Sequence, residues 1–259
     1  PSADIYKLLV WVRRQVMADT GEQQVPWEAS SLTGEFAFAA AKASTCWENE
    51  VPGATCQELT TGMEFVYVPG GCFQMGSAVS ENEQPVHEVC LQGFWMGKYE
   101  VTQAQWEAVM GNNPAKFKGV NRPVDSIAWN DAQEFLRKLN TAASVETHGR
   151  ASLQFRLPSE SKWEYAARAG SQTAYSFGDD PNQLGDYAWY NDNSDNETHS
   201  VGQKQPNNFG LFDIYGNVWE WVADTYYEHY NDAPTDGSVW GNLDDGKEKV
   251  MRGGSWYGD

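Results

Sequence analysis

The sequence predicts a mixed helix-and-strand domain with an unusual share of loop. Three observations lead there. Strand-like alternation is concentrated in residues 63–97, in runs such as MEFVYVPGGCFQM. Helix-like spacing appears in four separate runs up to Gly170. From 171 to 250 helical periodicity is gone, and the chain is rich in Gly, Asn, Asp, Trp and Tyr. A long irregular stretch normally counts against an assignment. Aromatic plugs and bound ions are an alternative way to hold such loops.

Taken in order, residues 4–18 (DIYKLLVWVRRQVMA) carry Ile5, Leu8, Leu9, Val12 and Val16 at helical spacing. Residues 19–34 are turn-rich and run into a short alternation at Phe36 and Phe38. Residues 39–60 are small and polar and read as a linker pinned by cysteine. At Met63 a strand pattern begins that stops at Gly70-Gly71. FWMGKYEVTQAQWEAVMG reads as a strand followed by a helix, with Thr102 as N-cap and Gln105 completing a capping box. A second helix is expected from Asn130, with Gln133 in the equivalent place. A third is expected after Ser159, ending at a Gly170 C-cap.

Composition bounds the function. Hydrophobic residues make up 41 % of the chain, with 12 Trp, enough for a sizeable core. Lys and Arg number 18 against 36 Asp and Glu, a net charge of -18. A surface of that sign repels phosphate backbones, which argues against nucleic acid, and it suits cations. No run of about 18 apolar residues encodes a membrane span. The first twenty or so residues lack the charged start, apolar core and cleavage site of a signal peptide. The four cysteines fall as two local pairs, Cys46/Cys56 and Cys72/Cys90, without metal-finger spacing. Local disulfides are the preferred reading, since GGCFQM and HEVCLQGF could pair as neighbouring strands. Four buried thiols are the other reading.

Five stretches stand in a fixed order: FVYVPGGCFQMGS, KYEVTQAQW, RLPSESKWEYAARAG, NNFGLFDIYGNVWEWVAD and VMRGGSW. Together they resemble the formylglycine-generating-enzyme (sulfatase-modifying factor) domain, over about residues 61–259. The resemblance implies an α+β fold of C-type lectin-like topology, loop-rich and often calcium-bound, whose last strands lie beyond Asp259. A second resemblance covers the N-terminal segment. RRQVMADTGEQQVPWEASSLTGEFAF is similar to the C-terminal end of caspase-like peptidase domains. The implied organisation is 1–40 the end of a caspase-like domain, 41–60 a linker, and 61–259 the lectin-like domain.

The same resemblance supplies a calcium set: side chains at Asp213 and Glu220, carbonyls at Gly216 and Val218. The chemistry is reasonable, because calcium takes six to eight oxygens from carboxylates and carbonyls. The plain alternative has Asp213 capping a turn and Glu220 paired with Arg168 or Arg252. A second, irregular calcium site would lie near Asn191 or Asn193. An EF-hand starting at Asp192 fails, because Glu197 stands where Gly is needed and Gln203 where a bidentate Glu is needed. Asn196-Glu197-Thr198 matches a glycosylation sequon by pattern alone. His87, His148, His199 and His229 show no ligand spacing and read as surface or turn residues. Trp219, Trp221 and Trp256 read as core plugs, and Arg156 and Glu164 as groups that hold the fold together.

In the enzymes of this family a Cys pair binds copper, the first lying three residues after the Ser of the Gly-Gly-Ser turn. That position is Gly258, whose side chain can neither bind copper nor form a thiolate. The second position would lie past Asp259. Copper is therefore not expected, and the leading reading is a non-catalytic module for binding or display. Variable proteins of diversity-generating retroelements resemble the chain in fold and in RGGSW, which would make Trp256, Tyr257 and Asp259 ligand-facing. The partner would be a protein or small ligand on that C-terminal surface. The alternatives are a copper- and Cys-dependent oxidase of the formylglycine type and a regulatory arm of a caspase-like protease. Disulfides argue for an oxidising compartment, and a caspase-like neighbour for a bacterial cytoplasm.

Overall fold

The computed structural model describes residues 45–146, 153–242 and 246–258. The chain divides into Pro1–Thr45 and Cys46–Asp259, and the elements named below belong to the second unit. The expected helix at 4–18 and the caspase-like segment lie outside the described residues.

Cys46 is bonded to Cys56, whose strand β1 (Thr55–Gln57) pairs antiparallel with β2 (Glu64–Val68). The segment expected as a cysteine-pinned linker thus carries a disulfide and an edge strand. β2 pairs in turn with β5 (Phe94–Gly97), giving a three-stranded sheet in the order β1-β2-β5. Between them, β3 (Gly71–Met75) and β4 (His87–Leu91) form a separate two-stranded sheet that aligns Cys72 with Cys90. Those two cysteines are also bonded. A third sheet pairs β6 (Glu220–Thr225) with β7 (Lys249–Arg252).

Among the described residues, three helices of eight residues or more fall where the periodicity places them, with different ends. α1 (Gln103–Met110) starts on the expected capping box: Thr102 Oγ1 accepts from Gln105 N–H, and Gln105 Oε1 accepts from Thr102 N–H. α2 runs Trp129–Glu146, longer than NDAQEFLRKLN suggests and one residue earlier. α3 (Glu160–Arg168) has Ser159 as N-cap. Its C-cap is Ala169, at φ 47°, and not Gly170. The left-handed cap usually favours Gly. Here Ala169 is buried, so packing holds the methyl in place. α4 (Leu184–Tyr187) is a single turn within the loop region.

Two apolar clusters result. The larger joins Val68, Val89 and Leu91 of the sheets to Trp163 of α3, Leu211 and Val222. The smaller packs Trp106 of α1 on Phe135 and Leu139 of α2, the Trp106 and Phe135 rings stacked at 5.2 Å. In 171–218 the expected aromatic plugs are present: Phe177 stacks between Tyr175 (4.8 Å) and Tyr187 (4.3 Å). Side-chain and backbone hydrogen bonds replace ladders there.

Candidate functional site

DIYGNVWEW forms a tight loop that leads into β6. Asp213 and Asn217 both have positive φ, 61° and 64°, which Asp and Asn tolerate better than most residues. Gly216 is obligatory, because a Cβ there would collide with the Trp189 carbonyl oxygen. Asn217 is fully buried and is the knot of the loop. Its N–H donates to Trp189 O (2.7 Å), and its Oδ1 accepts from His199 N–H (2.8 Å). Its Nδ2 donates to Glu100 Oε2 (2.7 Å) and to His199 O (3.1 Å). Val218 N–H donates to the other Glu100 oxygen (3.0 Å).

Three carboxyl groups meet around this loop. Glu100 comes from the segment between β5 and α1, Asp213 from the loop, and Glu220 from the start of β6. Asp213 Oδ2 accepts from Gly202 N–H at 2.7 Å, while its buried Oδ1 has no partner. Glu220 Oε2 accepts from the Trp163 indole N–H at 3.0 Å. Burial pushes Asp213 up to about 6. Burial, reinforced by the Asp213 charge, pushes Glu220 up to about 7. Burial and then the Asp213 and Glu220 charges raise Glu100 well above the usual carboxylate range. Among the described residues no Lys, Arg or His pairs with any of the three.

Arg252 and Arg168 are occupied elsewhere. Arg252 pairs with Glu160 (3.2 Å) and Glu164 (2.9 Å), and Arg168 pairs with Glu164 (2.8 Å). Glu164 also accepts from Gly76 N–H, and Glu160 from the Tyr230 hydroxyl. Glu164 thus does hold the fold together. Arg156 does not: it is exposed and forms no ion pair among the described residues.

RGGSW continues from Arg252 over the acidic loop. Gly253 and Gly254 take φ 101° and 79°. Trp256 N–H donates to Asn217 O (2.9 Å), Ser194 Oγ to Trp256 O (2.8 Å), and Asn191 N–H to Gly258 O (3.2 Å). The Trp256 ring is half-buried edge-on against Phe117 (5.2 Å), with Lys116 Nζ 5.3 Å above it. Tyr257 is 71 % exposed, and Asp259 lies outside the described residues. Trp219 is 50 % exposed, so it is no core plug, while Trp221 is tied down through its N–H to Ile127 O.

Asn193, expected near a second ion, caps a turn: Oδ1 accepts from Tyr190 N–H and Nδ2 donates to Ala188 O. His199 is not a surface residue; it stacks on Trp189 at 3.8 Å. Sequence reasoning finds Asp213 and Glu220 but misses Glu100, Asn217 and Trp163. The available signal is an acidic residue between a strand and a capped helix in KYEVT.

The chain shows similarity to several known proteins. It is 29 % identical over 245 residues to the chaperone protein LppX of Paenibacillus barcinonensis, covering 78 % of this chain and 82 % of that protein. It is 27 % identical over 230 residues to the formylglycine-generating enzyme of Mycobacterium tuberculosis, covering 66 % and 77 %. Among solved structures, variable protein 1 of Treponema denticola matches with a TM-score of 0.69 and 30 % identity, over 79 % of this chain and 88 % of that one. PvdO of Pseudomonas aeruginosa matches with a TM-score of 0.67 and 30 % identity, over 80 % and 87 %. The fold is the expected α+β, loop-rich, C-type lectin-like one. The family model described as the sulfatase-modifying factor enzyme 1-like domain, FGE-sulfatase, matches residues 49–259, and the chain belongs to that family.

Proposed function

We propose that residues 46–259 form a non-catalytic binding or display module on this scaffold. The observation that carries the reading is Gly258. The turn that holds it is fully built, anchored through Asn217, Ser194 and Asn191. A Cβ added at Gly258 would meet only ordinary contacts, the nearest 3.6 Å away at Ser255. Space for a cysteine is there, and the cysteine is not. The four cysteines at Cys46, Cys56, Cys72 and Cys90 are all disulfide-bonded, so none of them offers a free thiol to copper. The variable protein from Treponema denticola supports the display version of this reading, in which Trp256, Tyr257 and Asp259 begin a ligand surface.

The calcium set of Asp213, Gly216, Val218 and Glu220 fits what surrounds it. Two buried carboxyl groups, Glu100 and Asp213, and the half-buried Glu220, with no cation paired to them among the described residues and one orphaned oxygen, are a donor environment for a hard divalent ion. No three His, Cys, Asp or Glu side chains among the described residues form a metal-holding group by themselves. The set needs only two side chains, with carbonyls for the rest. Bound there, calcium would supply the charge that this loop otherwise lacks, and its role would be structural.

Panning a displayed peptide library on the purified domain tests the binding reading. Selected peptides are expected to lose tenfold or more in affinity for Tyr257→Ala or Trp219→Ala, with the melting temperature unchanged. Oxidation of a cysteine-containing peptide by the copper-treated protein would overturn the reading. So would binders indifferent to both substitutions.

A further inference from the structure

We propose that the Cys72–Cys90 disulfide is a thiol-exchange site, opened by a small dithiol while the domain stays folded. Cys72 and Cys90 are directly opposed in the β3–β4 register, with Cα atoms 4.0 Å apart. Both are exposed. Strand alternation explains why. On β3 and β4 the neighbouring Phe73, Met75, Val89 and Leu91 turn inward, so the sulfurs sit on the solvent face of a two-stranded sheet.

The contacts that hold this sheet to the domain bypass the sulfurs. Phe73 packs edge-on against Tyr165 of α3 at 5.3 Å, and the Tyr165 hydroxyl donates to Pro69 O at 3.0 Å. Gly76 N–H donates to Glu164, and Arg168 donates to Gly76 O. Cys90 N–H donates to Thr235 O. Each of these survives cleavage of the sulfur link. The other disulfide is placed differently. Cys56 is 4 % exposed and lies opposite Phe65 in the three-stranded sheet. Its partner Cys46 is half-buried, so neither sulfur of this bond belongs to an exposed residue. Exchange rates follow access to the sulfur, so the two bonds separate kinetically.

The step balances as ordinary exchange. A reagent thiolate attacks one sulfur of the pair, the S–S bond breaks, and the departing cysteine takes up a proton. The reagent's second thiol then attacks the mixed disulfide, releases the second cysteine thiol and leaves as a cyclic disulfide. Two electrons and two protons pass from dithiol to protein. A monothiol such as glutathione stops at the mixed disulfide, which makes the site one for reversible covalent attachment.

The test is a native-state time course with dithiothreitol, quenched with iodoacetamide and read by peptide mass mapping. Alkylation at Cys72 and Cys90 is expected at least tenfold faster than at Cys46 and Cys56, with the cooperative thermal transition retained. Equal rates for the two disulfides would overturn the proposal. So would opening of Cys46–Cys56 first, or alkylation of Cys72 and Cys90 only at the rate of global unfolding. The Cys72→Ser/Cys90→Ser protein is expected to melt cooperatively, and failure of that variant to fold would count against it equally.

Discussion

Two acidic clusters, one buried and one partly buried, sit side by side and are neutralised in opposite ways. On α3, Glu160 and Glu164 are answered from within the chain by Arg252 and Arg168. Around the DIYGNVWEW loop, Glu100, Asp213 and Glu220 receive N–H donors but, among the described residues, no cation. Trp163 touches both clusters: its N–H donates to Glu220, and Arg252 lies 5.3 Å over its ring. Desolvation of a charge is severe unless it is compensated. The first cluster is therefore complete in itself. The second depends on protons or on an ion from solution.

The largest effect should come from breaking the complete cluster. Arg252→Ala leaves buried Glu160 without a cation and Glu164 with Arg168 alone, and removing one partner of a buried ion pair costs about 3–5 kcal/mol. For a domain of this size the melting temperature should fall by roughly 10 °C, measured by circular dichroism. A loss below about 1 kcal/mol would mean that the pairing matters little.

The incomplete cluster should respond to calcium. An ion bound only by the folded state, at about 100 times its Kd, adds about 2.7 kcal/mol. Melting should shift upward with calcium and downward with chelator, and Asp213→Ala should abolish the difference. An unchanged curve in chelator for wild type and variant alike would sink the calcium set.

Acidity gives the next handle. The folded values for Glu220 and Asp213, about 7 and about 6, lie above their ordinary 4.5 and 3.8. The folded state therefore holds more protons than the unfolded one across that window, and stability falls as pH rises through it. In chelator, the domain should gain stability between about pH 8 and about pH 5. Glu220→Gln should flatten the slope. A denaturation series showing the opposite slope would contradict the burial of these groups.

The smallest effects belong to the exposed end. Tyr257→Ala and Gly258→Cys should each change stability by less than about 0.5 kcal/mol, because neither site is packed. A larger loss for Gly258→Cys, seen by denaturant titration, would mean that the glycine is required by the backbone and is not simply a missing cysteine.

What can be read from the sequence tracks how far apart the cooperating residues are. The Thr102–Gln105 box and the Ser159 cap are decided within one helical turn, and both are legible. Asp213 and Glu220 are singled out through the family resemblance; their spacing around a Gly turn is compatible with a ligand loop but does not announce one. Glu100 is 117 residues from Asn217 and 118 from Val218, and nothing local announces that contact. Ala169 escapes because the local rule favours Gly at a left-handed cap, while burial decides the residue. Trp219 escapes because counting tryptophans does not say which of them the loop leaves exposed.

Arg252 also has a meaning for the order in which the chain is made. Its partners Glu160 and Glu164 precede it by 92 and 88 residues. A ribosome adds residues from the N-terminus, and domains settle only when their distant contacts exist. For the whole interval between α3 and β7 the nascent domain carries two carboxylates destined for the interior with only Arg168 to answer them. The RGGSW turn therefore acts in time as well as in space. Its arginine completes the pairing of α3, since Glu160 and Glu164 have their full set of partners only once residue 252 has been added.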